Sequence, residues 1–176
     1  MNIKNIPSFE FVESQNEVFP QIIEWEFNRG LLGTENFISA LNIIMGKPQF
    51  LSRLYELNQM VQSIRGIFTI WINGGVKWDQ VVIDGLLPTI MENSMITYAF
   101  SRSKKAAYFC LLEKAFAKIY GSYAELENVP VESFIQGILG LPVEVRKFEE
   151  FSNNEDIWEK MKEAFNQGAF FCFLYL

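Results

Sequence analysis

Along this 176-residue chain the spacing of apolar residues switches from helical to alternating and back again, which limits the folds open to it. Phe37, Leu41, Ile44 and Met45 recur at helical spacing. Ile67 to Ile72 and Val81 to Ile83 are β-branched and aromatic runs, and Asn73-Gly74-Gly75 between them is a turn signal, so they predict a β-hairpin. Tyr108, Leu111, Leu112, Ala115, Phe116 and Ile119 then return to one helical stripe, with Lys104, Lys105, Lys114 and Lys118 mostly off it. The expected class is α+β: mostly helical, with one hairpin and a C-terminal strand.

Local punctuation sets the expected boundaries. Residues 1 to about 28 lack periodicity and read as an extended arm, with a short helix near Pro20 to Phe27. Thr34 stands where a hydroxyl can accept a hydrogen bond from a first-turn amide, and Gly46 with Pro48 ends the helix it opens. Phe50 to about Ser63 predicts a second helix, with Leu51, Leu54, Leu57 and Val61 on one face. Residues 84 to 103 read as a loop opened by Gly85 and Pro88, Lys104 to Tyr120 as a helix closed by Gly121, and Pro130 as the start of a short helix. A helix from Asn154 to about Gln167 has Asn153 or Asn154 as its cap, Glu155 and Asp156 complementing its dipole, and Gly168 as its stop. Ala169 to Leu176 is an uncharged run that reads as a buried strand.

Composition narrows function by exclusion. A net charge of −6 argues against a phosphate-backbone ligand, because nucleic-acid affinity comes from clustered Lys and Arg. The one basic cluster, Arg102, Lys104 and Lys105, reads as a solvated lead-in to a helix. Cys110 and Cys172 sit in apolar stretches without metal-site or disulfide spacing, which predicts buried reduced thiols and a cytoplasmic protein. The longest apolar run, Ala169 to Leu176, is too short to span a bilayer. Aromatic residues reach 15 %, 17 of them Phe, so the chain either packs an aromatic core or covers part of its surface with a partner. Trp71, Trp78 and Trp158 are expected to pack in the core.

Two stretches carry a family resemblance. Val81-Val82-Ile83-Asp84-Gly85-Leu86-Leu87-Pro88-Thr89 resembles the VVVDDRLPT stretch of calpain protease cores, with Trp78 three residues before it. Leu111 to Tyr123 is similar to the LLEKAYAKLNGSY helix of the same family. Tyr98 to Ser101 resembles its FVHS turn, and Trp71 with Gly74 its WxxG hairpin. The resemblance covers roughly residues 26 to 176. It implies a papain-like fold: an arm over 1–25, the first, helix-rich calpain protease subdomain over 26–168, and the opening strand of a second subdomain over 169–176.

The same resemblance locates the catalytic segment, QGxLGDCWFLAA in the family and Arg29 to Ala40 here. Gly30, Leu32, Gly33 and Ala40 are kept. Arg29 stands for the oxyanion-holding Gln, Thr34 for the Asp, Glu35 for the nucleophilic Cys and Asn36 for the Trp. The chain has no histidine, and the family places its catalytic His and Asn in the second subdomain. The implied protein is a non-catalytic pseudoprotease. The resemblance also implies a vestigial calcium site at Glu26 and Glu113, although ordinary carboxylates are the default reading, so no cofactor is expected.

Chemistry built on Glu35 itself would need an acid partner or a metal ligand set, and the sequence offers neither. The expected role is a structural subunit in a stable complex with other protein chains. Catalytically dead relatives of this family associate with the cytoskeleton and cilia, and the resemblance extends that location to this chain. Phe170, Phe171, Phe173 and Tyr175 are the expected partner-binding edge, since an exposed β-prone segment needs cover. The alternative role is regulatory: pairing with an active calpain-like protease, or holding extended peptides uncut.

Overall fold

The computed structural model describes residues 27–28, 34–47, 50, 62–64, 67–85, 89–90, 95–96, 100–101, 107–169 and 171. These fall into two compact units, Met1–Val143 and Glu144–Leu176.

Among the described residues of the first unit, α1 (Glu35–Met45), α2 (Ala107–Tyr120) and α3 (Val131–Leu139) accompany seven strands. These are β1 (Phe27–Asn28), β2 (Gln62–Ile64), β3 (Ile67–Asn73), β4 (Trp78–Asp84), β5 (Thr89–Ile90), β6 (Met95–Ile96) and β7 (Phe100–Ser101). The order β2-β3-β4 forms an antiparallel sheet, and β1-β7 and β5-β6 are two separate antiparallel pairs. The α+β class expected from the apolar periods is the class observed.

The β3–β4 hairpin forms where alternation predicts it. Its register pairs Asn73 with Trp78 and Ile67 with Asp84. The Gly75 amide donates to Asn73 Oδ1 at 2.7 Å, and Gly75 adopts φ +95°, a left-handed conformation that glycine reaches without a Cβ penalty. Ile70, Ile72, Val81 and Ile83 are buried on one face, as a period of two requires. Helices α2 and α3 pack on this hairpin, and α1 packs on α3.

Three phenylalanines join the helices. Phe37 of α1, Phe116 of α2 and Phe134 of α3 meet edge to face, with ring centroids 5.3 Å apart for Phe37–Phe134, 5.1 Å for Phe116–Phe134 and 6.0 Å for Phe37–Phe116. All three are fully buried. Such pairs contribute about 0.5 to 1.5 kcal/mol each beyond the area they bury. Gly137 of α3 makes the approach possible, since a Cβ there would lie 2.7 Å from Phe116 Cε1 and 3.3 Å from Ile72 Cγ2. Gly140 ends α3 at φ +67°, with the Trp78 ring where a Cβ would project.

Several boundaries differ from the sequence reading. Gln62 and Ser63, expected to end a second helix, lie in β2 opposite Thr69 and Phe68, because pairing with a hairpin strand outweighs weak helical patterning. The expected loop over 84–103 contains β5, β6 and β7, strands of two residues each and too short to show alternation. Phe27, at the end of the expected N-terminal helix, pairs in β1 with Ser101. Helix α2 is buried on nearly every side from Phe109 to Ala117, whereas Ile119, expected on its buried stripe, is half exposed. The expected arm over 1–25 and the interior of the second expected helix, 51–61, lie outside the described residues, as does the expected start of α2 at Lys104.

In the second unit, α4 (Asn154–Asn166) is capped as expected: the Asp156 amide donates to Asn153 Oδ1 at 2.9 Å. Asp156 in turn accepts from the Ser152 amide at 3.2 Å and pairs with Lys160 one turn on. Trp158, expected in a core, is 59 % exposed, because α4 carries no buried side chain. Of the expected strand 169–176, only Ala169 and Phe171 are described, and neither belongs to a helix or strand.

Two outcomes follow. Gly137→Val is expected to cost about 2 to 3 kcal/mol by overpacking against the Phe116 ring, read as a lower urea midpoint. The Ser152 amide and Lys160 hold the Asp156 carboxyl below its ordinary value of 3.8, so its contribution to α4 is full above that value and is lost as pH falls through the lower folded one. The helicity difference between the parent chain and Asp156→Asn should therefore close in acid, as followed by circular dichroism.

Candidate functional site

The candidate site is built at the start of α1, where Thr34, Glu35 and Asn36 follow one another. A helix begins here because Phe37, Ala40, Leu41 and Ile44 bury one face. Its first-turn amides carry partial positive charge.

Thr34 occupies the cap position without capping. Its carbonyl accepts the Ile38 amide at 3.1 Å, but its hydroxyl makes no cap hydrogen bond. The backbone at φ −99° and ψ 37° lies outside the extended region from which a cap side chain reaches the first turn. The Thr34 side chain is fully buried and its Oγ1 has no hydrogen-bond partner. This corrects the expected hydroxyl cap.

Glu35 is exposed in the first turn, where the helix dipole favours a carboxylate by about 0.3 to 1 kcal/mol. Asn36 is half-buried, and its Nδ2 donates to the Val129 carbonyl at 2.9 Å. That bond ties α1 to the residue leading into α3. Sequence reading assigned Asn36 only to a degenerate catalytic position. Its partner lies 93 residues away, and no local pattern announces such a pair.

Glu113 lies in α2, fully buried, one turn after Cys110. Burial and the Glu113 carboxylate together push the Cys110 thiol up to about 12. Cys110 is buried and reduced, as expected. Glu26, the other expected calcium ligand, lies outside the described residues, as do Arg29, Phe170, Phe173 and Tyr175. Among the described residues no three His, Cys, Asp or Glu side chains gather into a metal-binding group. Phe171 is half-buried in the second unit.

A separate open cleft of about 470 Å³ runs along β4 and the C-terminal half of α2. Asp84, Lys114, Lys118 and Tyr123 line it, and neither Thr34, Glu35, Asn36 nor Glu113 is among its described lining residues. The sequence pattern places Asp84 at the start of a loop and the two lysines mostly off the buried stripe. The signal available was the four-residue spacing of Lys114 and Lys118, which puts both on one side of a helix.

The helix-rich unit with its hairpin, and the catalytic-type segment opening α1, define a cysteine-protease core of the papain-like kind. A model of the calpain family cysteine protease matches residues 8–175, and the chain belongs to that family. Calpain-14 of Homo sapiens is 31 % identical over 147 residues, in a match that covers 82 % of this chain and 21 % of that protein. Calpain-5 of Caenorhabditis elegans is 32 % identical over 157 residues, 82 % and 24 % respectively. Calpain-13 of Rattus norvegicus is 30 % identical over 132 residues, 70 % and 19 %. The chain thus spans about a fifth to a quarter of the length of these curated relatives. Among the described residues no helix is long and apolar enough to cross a membrane.

Cys110 should behave as a core group. In a Cys172→Ser chain at pH 8, alkylation of Cys110 by iodoacetamide is expected to run on the order of a thousandfold slower than in urea, since only the thiolate reacts. Mass spectrometry of timed samples measures both rates.

Proposed function

We propose that this chain is a non-catalytic calpain-like pseudoprotease that serves as a structural subunit of a larger, cytoskeleton-associated assembly. The observation that carries the reading is the residue in the first turn of α1. By alignment with the family's catalytic segment, Glu35 stands at the nucleophile position. A carboxylate attacks amides poorly, and this chain carries no imidazole of its own to protonate a leaving amine.

Two features support the reading. The neighbouring Asn36 amide is committed to the Val129 carbonyl and so acts as a fold contact. Cys110 offers no substitute nucleophile, because a thiol raised to about 12 is almost entirely protonated near neutral pH. The α1 scaffold is kept where its reagents are changed, as a protein needed for its surface would require. Location at the cytoskeleton is part of the proposal and rests on the family resemblance.

The purified chain, with calcium present, is expected to leave a fluorogenic calpain peptide uncut. Hydrolysis that persists through purification and disappears in Glu35→Ala would overturn the non-catalytic reading. In its native source, the tagged chain should sediment with the detergent-insoluble cytoskeleton in a stable high-mass complex. Recovery only in a one-to-one pair with an active protease would replace the structural role with the regulatory one.

A further inference from the structure

We propose that Lys114 and Lys118 guard the outer edge of β4 against antiparallel pairing with the same edge of a second copy of this chain. Strand β4 is last in the order β2-β3-β4, and among the described residues its outer side pairs with no strand. Such an edge is a template for another strand.

The lysines occupy that template. Lys118 Nζ donates to the Val82 carbonyl, and Lys114 Nζ donates to the Asp84 carbonyl at 3.2 Å while pairing with the Asp84 carboxylate. Residues two apart on an antiparallel strand point their main-chain groups to the same side, so Gln80, Val82 and Asp84 are the outward set. Two of these three carbonyls are held by ammonium groups from α2. Lysine at a sheet edge opposes strand addition by placing charge in the seam, and two copies would bring four ammoniums together.

The side-chain pattern favours a second copy as the occupant. A twofold antiparallel pairing centred on Val82 sets Val82 against Val82 and Gln80 against Asp84. No carboxylate then faces another across the seam. Val82, on this edge strand, is 45 % exposed and would gain cover from the Val82 of the second copy. The open cleft lies beside this same edge and is lined by Val82, Asp84 and both lysines.

The test replaces both lysines, Lys114→Met with Lys118→Met, and follows amide hydrogen exchange by NMR at Gln80 and Val82 across a concentration series. These amides are expected to exchange freely in the parent chain and about tenfold or more slowly in the variant at high concentration. Adding Val82→Pro, tolerated where the amide faces outward, should restore free exchange at Gln80. Site-specific exchange reports this edge even if the chain self-associates elsewhere. Slow, concentration-dependent exchange already present in the parent would overturn the proposal, as would unchanged exchange in the variant or slowing that survives Val82→Pro. Continued protection of Cys110 from alkylation verifies the fold. If the double variant unfolds, Lys118→Gln, which alters one exposed residue, is read in the same way and should slow the same amides by a smaller factor.

Discussion

The edge-to-face cluster of Phe37, Phe116 and Phe134 is the contact on which the rest of the first unit depends. Each ring comes from a different helix, so no pair of helices can shift without breaking a ring contact. The cluster forms only because Gly137 lets α3 approach the Phe116 ring and Ile72 of the hairpin closely. A small residue on one helix thus sets the spacing of all three. The start of α1 is placed by the same contact, since Phe37 follows Asn36 directly and Asn36 is bonded to the carbonyl of Val129 just before α3. The candidate site inherits its position from the core beneath it.

That dependence explains how the fold can accept either a thiolate or a carboxylate at the α1 start. A helix N-terminus favours negative charge of either kind, thiolate or carboxylate. Glu35 meets the electrostatic preference of the position, and nothing in the Phe cluster senses which anion stands there. Asn36 adds a neutral bond that strengthens the scaffold. Thr34, buried with an unsatisfied hydroxyl, is unfavourable at the start of α1, at a cost of about 1 to 3 kcal/mol. The surrounding core offsets it.

The legible parts of the sequence were those in which one local signal dominates. The β3–β4 hairpin was readable because alternation and Asn73-Gly74-Gly75 agree, and α4 because Asn153, Glu155, Asp156 and Gly168 all punctuate it. Strand β2 was not, since Gln62 and Ser63 are fixed by pairing with β3 and have no strand pattern of their own. Strands β5 to β7 are too short to carry a period. At the candidate site, the identity of Glu35 and its place in the first turn were legible. The Asn36–Val129 bond was not, because it joins residues far apart in the chain. Thr34 was misread for a related reason: its residue type suits a cap, but its backbone conformation does not.

Helix α2 was the most readable element and also the one whose surroundings were least visible. Its stripe was evident, yet burial extends around most of its circumference and takes in Cys110 and Glu113 as well. The consequence is chemical. A thiol activated for nucleophilic work needs a positive or solvated neighbourhood, and Cys110 has an apolar one with a carboxylate nearby. Polar reach from α2 comes through Lys114 and Lys118, whose ammoniums extend past the core to the carbonyls of β4. The helix therefore supplies core on one side and edge protection on the other, and neither task leaves an activated nucleophile on it.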